Sequence, residues 1–258
     1  MDNLNPFALD YREPAQDDIY DAFDRERVEV AKPEPKMEKP AAAKGGKVIH
    51  DQMEQGSMAW LQARCGLLTA SEMKLVLTEK TLKVCENDKI KAHIYELAAQ
   101  RITEFVEPMF QSFDMIRGQN DEHEARARYA ERFGPVDEVG FITNDKWGFT
   151  LGYSPDGLPR GTRGGIECKS RKQKYQIQTV VEHALNGGIP GEFVMQHQTG
   201  MLVGELDWID FISFSEKLPM AVIRVHPDDK IQAAILEAAQ ITEAKIAKII
   251  ATYQEQTH

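Results

Sequence analysis

The sequence predicts an α/β (α+β) protein in which a central mixed β-sheet is flanked by helices, and three observations carry that reading. Apolar residues recur at helical spacing in two long stretches. From Asp88 to Thr103 they are Ile90, Ile94, Leu97, Ala98 and Ile102, and from Asp228 to Gln254 they include Ile231, Ile235, Ala238, Ile241, Ile246, Ile249 and Ile250. Between these stretches the period shortens. Val139 to Thr143, Gly148 to Tyr153, Gly165 to Ser170, Trp208 to Ser215 and Ala221 to Val225 read as strands separated by Asn, Asp and Gly turns. Helices on either side of a run of strands bury their apolar faces as layers on a mixed sheet. A chain of 258 residues, 42% hydrophobic and 28% charged, is long enough for one such core.

Taken in order, residues 1–46 differ from the rest. They carry 11 acidic and 7 basic side chains, and Ala31 to Lys47 is dominated by Pro, Lys, Glu, Ala and Gly. Such a segment buries too little apolar area to offset its ordering entropy, so a flexible arm is expected, with a short helix around Asp17 to Arg27 where Ile19, Tyr20 and Phe23 cluster. Residues 47–258 are expected to form a single domain, with regular structure from about Val48. Glu72 to Leu77 reads as a short helix with Ser71 as its N-cap, and Asp88 stands at the N-cap position of the next. Gln119 to Phe133 is a third helix, stopped by Gly134-Pro135. Gln176 to Leu185 and Glu192 to Val203 are two more, before the two last strands and the long C-terminal helix.

Composition excludes several classes. The net charge, 31 − 41 = −10, argues against a general electrostatic glue for nucleic acid but leaves room for a locally basic groove. Three cysteines, Cys65, Cys85 and Cys168, show no CxxC spacing, which fits reduced thiols in a cytoplasm and neither a disulfide framework nor a four-cysteine iron–sulfur site. No stretch approaches 18 apolar residues, and the acidic N-terminus lacks a signal-peptide pattern, so no membrane role is expected.

The chemistry concentrates in Ser154 to Ser170, SPDGLPRGTRGGIECKS. Gly157, Gly161, Gly164 and Gly165 read as a turn joining two strands. Glu167 and Lys169, two apart on the second strand, share a face, and Asp156 at the end of the first can approach them across a hairpin. Two carboxylates on one spot repel unless a hard divalent cation joins them, and a lysine beside them can orient or deprotonate water and offset charge on a phosphate. An Asp before Gly is by itself most often a turn residue, and ExK on a strand an ion pair. The charge pattern argues further: Arg160, Arg163, Lys169, Arg171, Lys172 and Lys174 face a single acid, Glu167, between residues 160 and 174. A net +5 block in an acidic chain is what a phosphate backbone would seek. The residues thus point to metal-assisted phosphodiester hydrolysis with Mg²⁺ on Asp156 and Glu167.

Several separated motifs, in order, resemble the lambda-exonuclease-like (YqaJ-type) viral recombinase nucleases of the PD-(D/E)xK superfamily. Glu54-Gln55-Gly56, Trp60, Arg64-Cys65-Gly66 and Leu68-Thr69-Ala70-Ser71 look like the family's WxxxRxGxxTAS signature. Gly118 to Tyr129 looks like its helix with a glutamate four residues after the glycine. Ser154 to Leu158 and Glu167 to Lys169 look like the metal hairpin, and Val194 to Gln198 like the glutamine motif. The likeness runs from about Met53 to Met201. It implies a restriction-endonuclease-like PD-(D/E)xK core and a catalytic set of Asp156, Glu167, Lys169, Glu122 and Gln196.

In that set, Asp156, Glu167 and the backbone carbonyl of Cys168 would hold the metals, two Mg²⁺ with Mn²⁺ as a substitute. Glu122 would support the second, directly or through water. Lys169 would activate or position the attacking water, and Gln196, with Gln198 as the alternative, would close the site. Cys168 is then a filler on the opposite face of its strand. A second pocket, for the 5′-phosphate of a DNA end, would comprise Arg64, Ser71 and Ser154. A guanidinium grips phosphate bidentately and hydroxyls donate to the remaining oxygens. The family's further basic residue falls on Tyr175 here, leaving Lys172 and Lys174 as candidates, of which Lys172 is taken as a weaker fourth contact. Met115 falls where the family has an apolar wedge that splits the terminal base pair, and Asp145 lies one residue out of register with another acidic position.

The resemblance therefore implies a Mg²⁺-dependent 5′→3′ exonuclease of phage origin. It would digest one strand of linear duplex DNA to mononucleotides and leave a 3′ overhang for recombination by annealing. Implied partners are 5′-phosphorylated duplex ends, two further copies in a homotrimeric ring, and a single-strand annealing protein. Two rival readings remain at this stage, an endonuclease or repair nuclease on the same core and a non-catalytic DNA-end-binding module. The intact Asp156, Glu167 and Lys169 set speaks against the second.

Overall fold

The computed structural model describes residues 45–107 and 112–257. The short helix expected at Asp17 to Arg27 lies outside them. Strand β1 (Lys47–His50) is followed by helix α1 (Met58–Arg64), β2 (Leu68–Thr69), the one-turn α2 (Met73–Val76), α3 (Asp88–Thr103) and α4 (Phe113–Phe133). Five strands come next: β3 (Val136–Asp137), β4 (Phe141–Asn144), β5 (Leu151–Tyr153), β6 (Leu158–Pro159) and β7 (Gly164–Ser170). Helix α5 (Gln173–Gln178) runs on through a π turn (Thr179–His183) and a 3₁₀ turn (Ala184–Asn186). A 3₁₀ turn (Gly191–Phe193) leads into α6 (Val194–Gly204). Strands β8 (Trp208–Ser215) and β9 (Leu218–Val225) precede α7 (Asp229–Thr257).

Strands pair in three groups, in the orders β1-β4-β5-β2, β3-β6 and β7-β8-β9. Parallel pairs (β2 with β5, β7 with β8) and antiparallel pairs (β4 with β1 and β5, β8 with β9) coexist, as expected for a mixed sheet. The hairpin expected between Gly148–Tyr153 and Gly165–Ser170 does not form. The Gly-rich segment between them instead contributes β6, which pairs with β3, and the first and second sheet halves meet at one bridge, Gly157 with Ile166. That bridge still delivers Asp156 to β7: Asp156 N–H donates to Ile166 O at 3.2 Å, and Ile166 N–H to Gly157 O at 2.9 Å.

Caps explain where several helices begin. Asn87, not Asp88, caps α3, its Oδ1 accepting from the N–H groups of Lys89 and Ile90. Asp88 sits one place inside, where its charge favours the helix N-terminus. Helix α4 starts six residues before the expected Gln119, because the Ser112 side chain accepts from Met115 N–H. Ser71 does not cap α2: Glu72 occupies that place, without a side-chain cap bond. Asp228 caps α7 through Lys230 and Ile231 N–H.

The larger core fills the space between the first sheet and helices α2, α3, α6 and α7, with Leu68, Met73, Leu97, Leu151, Tyr153, Met201, Ile235 and Ile246 buried together. A smaller one joins α4 to β7 and β8 through Ala125, Tyr129, Ile166, Cys168, Ile212 and Phe214. Strand β7 joins the smaller core through Ile166 and Cys168, which turns Glu167 and Lys169 to its other face. Gly152 shows why a residue without a side chain is required beside β2 and β4. A Cβ there would lie 2.4 Å from the Phe141 ring and 3.3 Å from the Thr69 methyl. Among the described residues no helix is long and apolar enough to cross a membrane.

Candidate active site

Strand β7 presents Glu167 and Lys169 on one face, as the period of two requires. Lys169 Nζ donates to Glu167 Oε2 at 2.7 Å, and Gln196 Nε2, from the first turn of α6, donates to the same oxygen at 2.7 Å. Asp156 reaches across from the bridge: its Oδ2 accepts from Cys168 N–H at 2.6 Å. A strand residue presents its N–H and C=O on the same edge, so the Cys168 carbonyl points toward the Asp156 side. Glu122 arrives from α4, tied by Arg126, whose Nη1 donates to Glu122 Oε1 at 3.1 Å and to the Asp156 carbonyl at 2.8 Å. The Cys168 side chain turns the other way and is buried against Tyr129 and Phe214, as expected of a filler.

The electrostatics are those of carboxylates packed too closely. Burial, reinforced by the Glu167 charge, raises the Asp156 carboxyl to about 7, against the pull of Lys169. Burial also raises Glu167, and Lys169 again opposes it. Glu122 is pushed up to about 7, first by burial and then by Asp156, with Arg126 and Lys169 opposing. Lys169 itself loses affinity for its proton through burial but regains more from Glu167 and Asp156, so it is held well above the ordinary lysine range. Facing the two carboxylates, it is held as an ammonium. His197, behind it on α6, is pushed down to about 3 by burial and then by the Lys169 charge, and stays neutral.

The donor set fits a divalent cation. Glu167 Oε1 is buried with no hydrogen-bond partner among the described residues, an uncompensated acceptor on a carboxylate. With Asp156 and Glu122 nearby and hard oxygen donors throughout, the preference is for Mg²⁺-like ions. Among the described residues no group of three or more His, Cys, Asp or Glu side chains is placed to hold a metal ion by itself. That suits a site completed by a backbone carbonyl, water and substrate.

A second constellation lies at the end of α1. Arg64 Nη1 donates to Ser154 Oγ at 3.3 Å and Nη2 to Thr69 Oγ1 at 3.2 Å, while its guanidinium stacks over the Trp60 ring at 4.3 Å. Trp60 Nε1 donates to Ser154 Oγ at 3.0 Å, and Ser71 Oγ lies 3.3 Å from Thr69 Oγ1. Burial lowers the Arg64 pKa, and no carboxylate ion-pairs with it among the described residues. A half-buried cation bonded to two hydroxyls, with a third on the neighbouring Ser71, has the chemistry of an anion-binding site. Gln55 holds the loop that leads to Asp156, donating to the Pro155 carbonyl at 2.8 Å. Since Ser154 and Asp156 are two residues apart, the two constellations are adjacent.

The structure thus brings Asp156, Glu167, Lys169, Gln196 and Glu122 into one cluster and Arg64, Ser71 and Ser154 into a neighbouring one. Gln198 is elsewhere: its side chain is buried, donating to His226 O and accepting from Asp228 N–H at the start of α7. Lys172 is an exposed residue at the N-cap position of α5. Lys174 lies over the Tyr175 ring. Asp145 accepts from Gly46 N–H and holds a surface loop. Met115 sits in the first turn of a helix, not in a loop, with its exposed neighbours Phe113 and Ile116. Sequence reasoning missed Arg126, Tyr153, Thr69 and Glu72. The i, i+4 spacing of Glu122 and Arg126 and the closeness of Thr69 and Glu72 to Arg64 and Ser71 were usable signals, whereas Tyr153 comes beside the Glu167 charge only in three dimensions.

Mixed sheets covered by helices, with an acid-acid-lysine set on the bridge between them, define the PD-(D/E)xK class of fold. Within that class the chain belongs to the YqaJ-like viral recombinase family, whose model matches residues 59–207. It is similar to the crystal structure of an alkaline exonuclease (LHK-Exo) from Laribacter hongkongensis, at 30% identity and TM-score 0.67, over 78% of this chain and 98% of that one. The same enzyme in complex with dAMP matches with TM-score 0.68, at the same identity and coverage. A phage related exonuclease from Haemophilus somnus 129PT shares the fold, at 13% identity and TM-score 0.51, over 72% of this chain and 96% of that one. No curated protein sequence matches.

Proposed function

We propose that the protein is a Mg²⁺-dependent 5′→3′ exonuclease. On this reading it digests one strand of linear duplex DNA to mononucleotides and leaves a 3′ overhang for phage recombination by annealing. The observation that carries it is the convergence of Asp156, Glu167, Lys169 and Gln196, with Glu122 beside them, next to the Arg64 anion pocket. Family membership and the likeness to LHK-Exo, whose complex contains dAMP, support the same activity class.

Asp156, Glu167 and the Cys168 carbonyl would hold the cation, with Glu122 contacting a second, directly or through water. When bound, a divalent ion supplies Lewis acidity to the scissile phosphate and acidifies water; Mn²⁺ would substitute. Lys169, as an ammonium, positions the attacking water and donates to the phosphate oxygen that gains charge. Gln196 holds Glu167 Oε2 by a hydrogen bond, which would leave Oε1 available to a cation. Arg64, Ser71 and Ser154 seat the terminal 5′-phosphate, which sets how far the scissile bond lies from the end. Lys172 adds a weaker backbone contact, and Met115, with Phe113 and Ile116 beside it, is the exposed apolar edge that would wedge the terminal base pair. The reading extends to a homotrimeric ring, a single-strand annealing partner and the cytoplasm of a bacterial host.

The test is loss of linear duplex with Mg²⁺, with closed circular duplex as control and Asp156→Ala in parallel. Cleavage of the linear form alone, abolished by Asp156→Ala and by chelation of Mg²⁺, is expected. Nicking of the circle, or equal activity in Asp156→Ala, would overturn the reading.

A further inference from the structure

Behind the Arg64 pocket lies a carboxylate that the proposed chemistry does not use. Glu72 Oε2 accepts two hydrogen bonds from one residue, Thr69 Oγ1 at 2.7 Å and Thr69 N–H at 3.1 Å. Thr69 is buried, and its hydroxyl also meets Arg64 Nη2 at 3.2 Å and Ser71 Oγ at 3.3 Å. A hydroxyl has one proton and two acceptor lone pairs. With its proton given to Glu72, Thr69 Oγ1 can only accept, so it becomes the fixed seat for one edge of the Arg64 guanidinium. Ser154 holds the guanidinium by its other amino group, and the Trp60 ring covers one face. On the far side His93, buried on α3, closes the acid in, with Nε2 3.8 Å from Glu72 Oε2 and Nδ1 hydrogen-bonded to Glu96. Glu72 itself makes no ion pair with Arg64, so its carboxylate reaches the guanidinium through Thr69 and as a nearby charge.

We propose that Glu72 is the positioning residue of this pocket: by fixing Thr69 as an acceptor it sets the Arg64 guanidinium and so determines discrimination between 5′-phosphorylated and 5′-hydroxyl DNA ends. The proposal rests on the reading of the Arg64 cluster as a 5′-phosphate site. Glu72 does not touch the phosphate, and its contribution is orientation. Glu72→Gln keeps an acceptor oxygen for Thr69 and preserves the seat. Glu72→Ala removes it and frees the Thr69 proton to turn toward Arg64, which has no lone pair to receive it. Thr69→Val removes the seat while leaving Glu72 in place.

The experiment measures, in parallel, single-turnover digestion and metal-free binding by fluorescence anisotropy, each with blunt duplexes bearing a 5′-phosphate or a 5′-hydroxyl. In Glu72→Ala the preference for the phosphorylated end is expected to fall on the order of tenfold, the size of one charge-assisted hydrogen bond. The loss should appear in binding and KM, with the maximal rate on 5′-hydroxyl ends unchanged. Glu72→Gln should retain the preference. Thr69→Val should lose it, and the double variant should lose no more than either single one, because both act through the same contact. A preference intact in both Glu72→Ala and Thr69→Val overturns the inference and leaves the pocket standing. A preference lost equally in Glu72→Gln and Glu72→Ala also overturns it, since charge and not acceptor geometry would then be at work. Wild-type protein indifferent to the end group overturns both the inference and the phosphate pocket.

Discussion

At the scale of single residues, the site is defined by groups that are costly to keep together without a ligand. Asp156 and Glu122 hold their protons up to about pH 7 because they are buried beside one another and beside Glu167. Unfolded carboxyls ionise near pH 4. For an acid whose folded pKa is raised, the associated stability is complete below about pH 4 and is lost as pH rises from there through about 7. The metal-free protein is expected to melt at falling temperature between about pH 4 and about pH 7, and Asp156→Asn to flatten that fall. A decline of the same slope in the variant would contradict the assignment. Mg²⁺ competes with those protons, so its stabilisation should grow over the same interval. Lys169→Ala should lower the cleavage rate by roughly 10²-fold or more while leaving end binding intact, since it removes a donor that acts on the reacting oxygens. Much of this set was legible in the sequence. SPDG, ECK and VMQHQ are short strings whose spacing already places the groups on a turn, one strand face and a helix start. Tyr153 was not, because it meets the Glu167 charge only in the folded chain, and Arg126, Thr69 and Glu72, each within five residues of a partner, were passed over because a short spacing of polar residues alone does not separate a site from a solvated face.

At the scale of elements, the long periodic stretches announced themselves and the short ones did not. Helices α3 and α7 run for several turns, and their apolar stripes repeat often enough to fix both type and extent. Strands β2, β3 and β6 have two residues each, too few for any period to show, and they are the reason the expected hairpin is replaced by a bridge. Helix starts depended on which polar side chain won the cap. Asn87 did so over Asp88 because its Oδ1 serves two N–H groups at once. Asn87→Ala is therefore expected to destabilise the fold by about 1 kcal/mol, with Asp88→Ala costing a few tenths, as measured by urea unfolding. Equal effects would contradict the cap. Gly152→Ala should be more damaging, on the order of 1–3 kcal/mol, because the added methyl meets Phe141 between two paired strands.

At the scale of the whole molecule, the acidic chain and its basic block separate into places. Glu167 is buried and Asp156 and Glu122 half-buried beside it, and the Arg64 cluster adjoins them, so on the proposed function the end of a DNA strand and its scissile bond would be read by neighbouring groups. Every proposed site residue lies between Arg64 and Gln196, inside the folded part. A protein beginning at Gly45 is therefore expected to digest linear duplex at a rate within about twofold of the full chain in the test tube, since it keeps every proposed site residue. A large loss would assign residues 1–44 a part in the reaction. Fold class was the most legible feature at this scale. The pairing of strands into three groups was not, since it depends on where the Gly-rich segment after Asp156 finds hydrogen-bond partners.

The central claim, a 5′→3′ exonuclease that grips a terminal phosphate, is tested most directly by strand-resolved digestion. Linear duplexes labelled separately on each strand, with either a 5′-phosphate or a 5′-hydroxyl, are followed with Mg²⁺. Faster loss of the 5′-phosphorylated strand, release of mononucleotides and an intact complementary strand are expected, with the phosphate preference abolished in Arg64→Ala. Equal loss of both strands, or a rate indifferent to the end group in the wild-type protein, would contradict it.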